Sequence, residues 1–141
     1  MNTAVAPLTL APPIATFLAR HGQSEATLVA LPSDASPRSY IRLTGADCLL
    51  MEDRTDPVGF AAFLRLSRHL NTLGLSAPRI IGADPAVGLA LIEDFGTGTY
   101  GTLLKEGHDE AKLYELAIDA LVHLHSAPTS AKVNVPVFDT A

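Results

Sequence analysis

Between Asp56-Pro57 and Gly74 the chain carries one long stretch of helical periodicity, and strand-like segments stand on both sides of it. Asp56 is a good N-cap, Pro57 suits the first helical position and Gly74 suits a stop. Between them Phe60, Phe63, Leu64, Leu66, Leu70 and Leu73 form a broad apolar stripe, while Arg65, Arg68, His69 and Asn71 turn toward water. Upstream, TLVAL from Thr27, then RSYIRL and DCLLME are separated by the turn-rich PSDASP and by Thr44-Gly45, which predicts a three-stranded antiparallel meander. Ile41 and Leu43 alternate with Tyr40, Arg42 and Thr44, so one face is expected to be buried. Downstream, Arg79–Ala83 and Leu89–Glu93 read as a second strand pair joined through Asp84-Pro85-Ala86-Val87-Gly88. A helix inserted among mostly antiparallel strands predicts an α+β arrangement rather than a doubly wound parallel sheet.

The two ends are less regular. Residues 1–12 read as a loose arm, followed by a short helix from about Pro13 to Arg20 that Gly22 closes. After the Gly-rich GTGTYG, read as a flexible connection, a last helix is expected from about Asp109 to His125. Its apolar positions are Leu113, Leu116, Ala117, Ala120, Leu121 and Leu124, and the tail from Pro128 reads as a linker. With 141 residues, 48% apolar and 18% charged, the chain has the composition of one small globular domain or a piece of one. A net charge of −5 with no cluster of Lys or Arg argues against nucleic acid and anionic membranes as partners. No apolar run approaches the roughly 18 residues of a membrane span. The first basic residue is Arg20, too late for the charged start of a signal peptide, and a cytoplasmic protein is expected. The single cysteine, Cys48, can form no internal disulfide and no cysteine-type zinc site.

Three segments carry candidate chemistry. Arg20-His21-Gly22-Gln23-Ser24-Glu25 resembles the opening signature of the histidine phosphatase and phosphoglycerate mutase superfamily, in which an arginine holds phosphate oxygens beside a nucleophilic imidazole. That family places the motif after a buried strand, whereas here it follows a helix. Thr27 stands where an asparagine is expected, and His123 and His125 fall in a helical last turn. The segment is therefore read as a helix end with Arg and His near the negative end of the dipole. Gly96-Thr97-Gly98-Thr99-Tyr100-Gly101 is a literal GxGxxG, but Glu93 and Asp94 just before it would repel a pyrophosphate and no parallel βαβ unit surrounds it. The third segment, Leu31 to Tyr40, is a polar small-residue loop that can offer N–H groups and hydroxyls to phosphate oxygens, with Arg38 adding a planar charge.

Other polar groups have plainer readings. Cys48 is expected to be a small core residue. Glu52-Asp53 and Glu93-Asp94 point to opposite faces of a strand, so they are expected to be solvated or turn carboxylates rather than shared metal ligands. His123 and His125 diverge by about 200° on a helix and are expected at the surface.

Laid end to end, the Asp34-Ala35-Ser36-x-Arg38-x-Tyr40 loop, the strand Leu49–Asp53, the helix 57–73, Gly74–Asp84 and the strand Leu89-Ala90-Leu91-Ile92-Glu93-Asp94-Phe95-Gly96 resemble the phosphotransferase family that includes aminoglycoside phosphotransferases. Within it the likeness is to the branch of bacterial N-acetylmuramate/N-acetylglucosamine kinases. Ala120-Leu121-Val122-His123-Leu124-His125 and Pro136-Val137-Phe138-Asp139 continue the likeness, which covers roughly residues 13–141.

The resemblance implies a protein-kinase-like N-terminal lobe, residues 1–95, with about five antiparallel strands and an inserted helix. Residues 96–141 would be the linker and the first helix of the next lobe. It further implies that Ser33, Asp34, Ala35, Ser36, Arg38 and Tyr40 cover the phosphates of ATP and that the backbone of Glu93, Asp94 and Phe95 meets the adenine. The implied reaction is transfer of the γ-phosphoryl group to a hydroxyl of an amino sugar, in cell-wall sugar recycling, with Mg²⁺. Two departures stand out. The usual strand lysine is replaced by Met51, and the helix 57–73 has no acidic residue to pair with it. Another cation must serve, with Arg38 the first choice and Arg42 or Arg54 in reserve. The catalytic loop and the metal-binding motif lie beyond Ala141 in such proteins, so no catalytic residue or metal ligand is assigned here, and this chain alone is expected to be inactive. Two other classes stay open: a histidine phosphatase built on His21, and a binding module for a nucleotide or partner without turnover. The acceptor sugar and the oligomeric state are not legible.

Overall fold

The computed structural model describes residues 10–32, 36–128 and 133. These fall into two compact units. One is the chain through Ala61 together with Ile80–Asp94, and the other is Ala62–Arg79 together with the chain from Phe95.

The first unit opens with α1 (Pro12–Arg20), followed by β1 (Thr27–Ala30), β2 (Ser39–Thr44) and β3 (Cys48–Glu52). It also contains the start of α2 (Pro57–Thr72) and the strands β4 (Ile80–Asp84) and β5 (Leu89–Glu93). The strands form one antiparallel sheet in the order β1-β2-β3-β5-β4. The meander and the strand pair are therefore as expected, and β5 is the element that joins them. Its residues Leu89, Ala90, Leu91 and Ile92 are all buried, as a continuous apolar run between two neighbouring strands requires.

Register separates the two faces. Ile41 lies opposite Leu50, which lies opposite Leu91, and Leu43 lies opposite Cys48. On that face Leu43, Cys48, Leu50, Leu89 and Leu91 pack with Ile14, Phe17 and Leu18 of α1 into the main core. Cys48 is thus a core residue, and burial, with the charges of Asp47 and Asp94, raises its thiol pKa. The other face carries Tyr40, Arg42, Leu49, Met51, Ala90 and Ile92.

Local chemistry accounts for the helix limits. α1 has prolines in its first turn and ends where Gly22, at φ +69°, lets Gln23 N–H reach the Leu18 carbonyl at 2.9 Å. Asp56 caps α2 by accepting from Gly59 N–H at 2.8 Å.

Arg20 leaves the last turn of α1 to pair with Asp84 of β4 at 2.6 Å, and this guanidinium, against some burial, holds the Asp84 carboxyl below the usual carboxylate range. A carboxylate whose pKa is lowered by folding stabilises the native state above its unfolded pKa, and that contribution is lost as pH falls through the folded value. Arg20→Ala is therefore expected to lower the thermal midpoint at neutral pH, with the gap from the native protein closing below about pH 4. A gap that persists unchanged at pH 3 would show that Asp84 is not what Arg20 holds.

In the second unit α2 ends at Gly74, at φ +78°, with Leu75 N–H bonded to the Leu70 carbonyl at 3.0 Å. Two findings differ from expectation. The connection after β5 is shorter than its glycines suggest, because Thr99 accepts from Thr102 N–H at 3.2 Å and caps a six-residue helix, α3 (Tyr100–Lys105). The last helix, α4 (Glu110–Ser126), is capped by Asp109 as its sequence indicates. Of its apolar positions, however, Leu113 is buried while Leu116, Leu121 and Leu124 are exposed. Periodicity sets which residues share a face, and only a facing surface buries them. Among the described residues no helix is long and apolar enough to cross a membrane.

Candidate functional site

Of the polar groups singled out around the β1–β2 loop and the end of β5, Arg38, Asp53, Arg42 and Asp94 lie on one face of the sheet in the first unit, as two separate pairs. Arg38 stands just before β2, and Asp53 just after β3, where the pairing of Ser39 with Glu52 brings the two strand ends side by side. Arg38 Nε and Nη2 both donate to Asp53 Oδ2, at 3.1 and 3.0 Å. The aspartate side chain is 2% exposed and the arginine 24%, so the carboxylate is internal and the guanidinium reaches the surface. Burial alone would lower the Arg38 pKa, but its bonds to Tyr40 and Asp53 outweigh that and hold it above the ordinary arginine value.

Asp53 is itself held from two further directions. Its N–H donates to the Gly88 carbonyl at 2.9 Å, and its Oδ1 accepts from Asp56 N–H at 3.3 Å, just before α2. Asp53 is thus a turn carboxylate, as one of the two expected readings has it, but not a solvated one, because the β2–β3 register presents it with a cation. Ser36 Oγ accepts from Arg38 N–H at 3.2 Å, a short turn that sets the backbone leading into Arg38. Ser33, Asp34 and Ala35 lie outside the described residues, as does Pro136-Val137-Phe138-Asp139.

A second arginine–aspartate pair lies on the same face. Arg42 Nη2 donates to Asp94 Oδ1 at 3.0 Å and its Nε to Oδ2, a bidentate pair that crosses β3 from β2 to the end of β5. The bond to Asp94 raises the Arg42 pKa. Asp94 N–H also donates to the Asp47 carbonyl at 3.1 Å, extending the ladder one step past Glu93, which lies opposite Cys48. Asp94, too, is therefore ion-paired rather than solvated. The remaining candidate cation, Arg54, pairs with Glu52 at 2.5 Å. Phe95, which belongs to the second unit, is 56% exposed.

The other motifs serve the fold. His21 Nδ1 donates to the Phe17 carbonyl at 2.8 Å, and its ring packs on Phe17, 4.4 Å between centroids. A Cβ on Gly82 would overlap that ring. With Arg20 on Asp84, both leading residues of RHGQSE are engaged in tying α1 to β4. In the second unit His123 Nε2 donates to the Leu73 carbonyl at the end of α2, a tie that a surface reading of this residue does not anticipate.

The phosphotransferase enzyme family matches residues 27–135. An N-acetylmuramate/N-acetylglucosamine kinase of Caulobacter vibrioides is 46% identical over 100 residues, 70% of this chain and 26% of that protein. Kinases of the same name from Pseudomonas aeruginosa and Pseudomonas putida are 32% and 30% identical, each covering 82% of this chain and 34% of the relative. The chain thus spans between about a quarter and a third of the length of these relatives.

Proposed function

The chain belongs to the phosphotransferase enzyme family, and from that premise we propose that residues 1–95 form the nucleotide-binding lobe of an ATP-dependent sugar kinase. In this reading Ser33, Asp34, Ala35, Ser36, Arg38 and Tyr40 cover the ATP phosphates, and the backbone of Glu93, Asp94 and Phe95 meets the adenine. The γ-phosphoryl group passes to the anomeric hydroxyl of an amino sugar of the N-acetylmuramate or N-acetylglucosamine kind, in cytoplasmic recycling of cell-wall sugars. The names of the three relatives support the acceptor.

The observation that carries the reading is Arg38, a cation held at the mouth of the β1–β2 loop on a buried carboxylate. Phosphoryl transfer depends on positioning and on charge stabilisation, and a guanidinium matches phosphate oxygens with two parallel bonds. Mg²⁺ shields the phosphates when bound. Among the described residues no group of three His, Cys, Asp or Glu could hold a metal ion, and Asp53 and Asp94 are bound to arginines, so these residues do not make a magnesium site. What they can do is orient the nucleotide.

Arg38→Ala is expected to weaken ATP binding by about 10- to 100-fold, the loss of one charge-assisted contact, and to leave adenosine binding unchanged. Calorimetric titration with each ligand reads both. Unchanged ATP affinity in a folded Arg38→Ala variant would remove Arg38 from the phosphate site.

A further inference from the structure

We propose that Asp53 is the positioning residue for the phosphate-binding cation, so that the Arg38–Asp53 pair takes the place of a strand lysine and a helix carboxylate. The proposal rests on the reading of Arg38 given above and adds a role for a second residue.

Position 51, where a strand lysine would stand, holds Met51, which is fully buried, and α2 contains no acidic residue. The fold has therefore moved both halves of the pair. The cation comes from the start of β2 and the carboxylate from the end of β3, two residues that the antiparallel register brings together although 15 positions separate them in sequence.

The geometry is that of a holder rather than a surface ion pair. Asp53 is almost fully enclosed and its own backbone and second oxygen are engaged by Gly88 and Asp56, so it is a fixed point. Two of the five guanidinium N–H donors, on Nε and Nη2, meet one carboxylate oxygen, which sets the plane and direction of the fork. A long side chain beside a loop otherwise samples many rotamers, and only those pointing at the phosphates contribute to binding. Asp53 selects among them before the ligand arrives. Its negative charge is the cost of this arrangement, and the arginine side chain keeps 24% of its surface exposed.

The test is a double-mutant cycle on the full 141-residue chain, with Asp53→Asn, Arg38→Ala and the double variant, each titrated with ATP and with adenosine. The expected result is about a tenfold loss of ATP affinity for Asp53→Asn, with adenosine affinity unchanged and no further loss when Asp53→Asn is added to Arg38→Ala. An equal loss for ATP and adenosine, or a loss that persists in the Arg38→Ala background, would mean that Asp53 acts on the fold as a whole and would overturn the proposal. Unaltered ATP affinity in Asp53→Asn would overturn it as well. If Arg38→Ala alone leaves ATP affinity intact, the reading of Arg38 falls instead, and the two failures are told apart. Should Asp53→Asn not fold, Asp53→Glu carries the same test, since it keeps the charge and moves it by one methylene; a smaller, ATP-specific loss that vanishes without Arg38 is expected.

Discussion

Replacing Phe17 by Ala is expected to lower the unfolding free energy by about 3–5 kcal/mol, the range for truncating a fully buried aromatic side chain. Phe17 has no exposed surface and lies in the cluster where α1 meets Leu43, Cys48, Leu50, Leu89 and Leu91. The ring also supports the end of the helix, with the His21 ring 4.4 Å away and the Arg20 guanidinium 5.9 Å from its centroid. Truncation would therefore open a cavity and loosen the residues that tie α1 to β4. Against a typical stability of roughly 5–15 kcal/mol, a loss of this size leaves a marginal protein. Urea unfolding of both proteins checks it. A loss below about 1 kcal/mol, the scale of an ordinary surface change, would mean that α1 is not part of the cooperative core.

Gly88→Ala is the second large effect, and it connects stability to the site. Gly88 has φ +65°, a left-handed conformation that costs a residue with a Cβ about 1–2 kcal/mol. A Cβ there would also lie 2.8 Å from the Asp53 carbonyl carbon and 3.1 Å from Arg54 Cα, and closer still to the Asp53 oxygen. All three atoms are backbone and cannot swing aside as a side chain does. Strain and overpacking together are expected to cost about 2–6 kcal/mol. Gly45→Ala is the control, because its φ is +85° but a Cβ meets nothing within 4 Å. Its expected cost is the conformational part alone, about 1–2 kcal/mol. The difference between the two midpoints in urea measures the collision with Asp53. Equal losses would mean that the turn moves away from Asp53 freely. Because that collision displaces the residue holding Arg38, Gly88→Ala is also expected to weaken ATP more than adenosine binding.

Much of the fold was legible from local patterns. The cap at Asp56, the stop at Gly74, the alternation in β2 and the apolar run in β5 each reflect interactions within a few residues, so sequence spacing reports them directly. Thr99 shows where such reading is misled: its hydroxyl caps α3, but the surrounding glycines carry the stronger signal of a connection. The string around His21 is the opposite case, a motif-like signature correctly read as a helix end, with Arg20 and His21 taken up by the end of α1 and its packing.

The candidate site divides along the same line. Local sequence is enough to mark Arg38, Arg42 and Arg54 as candidate cations around a polar loop. It also determined that the usual lysine and helix carboxylate were missing. That Asp53 and Asp94 are not solvated but hold Arg38 and Arg42 follows from the three-dimensional pairing alone. The reason is that each pair depends on register and strand order. Arg38 meets Asp53 because Ser39 pairs with Glu52, and Arg42 reaches Asp94 because β5 lies beside β3. Contacts across 15 and 52 positions leave no periodic trace in the chain, whereas a helix or a strand repeats its contacts every few residues.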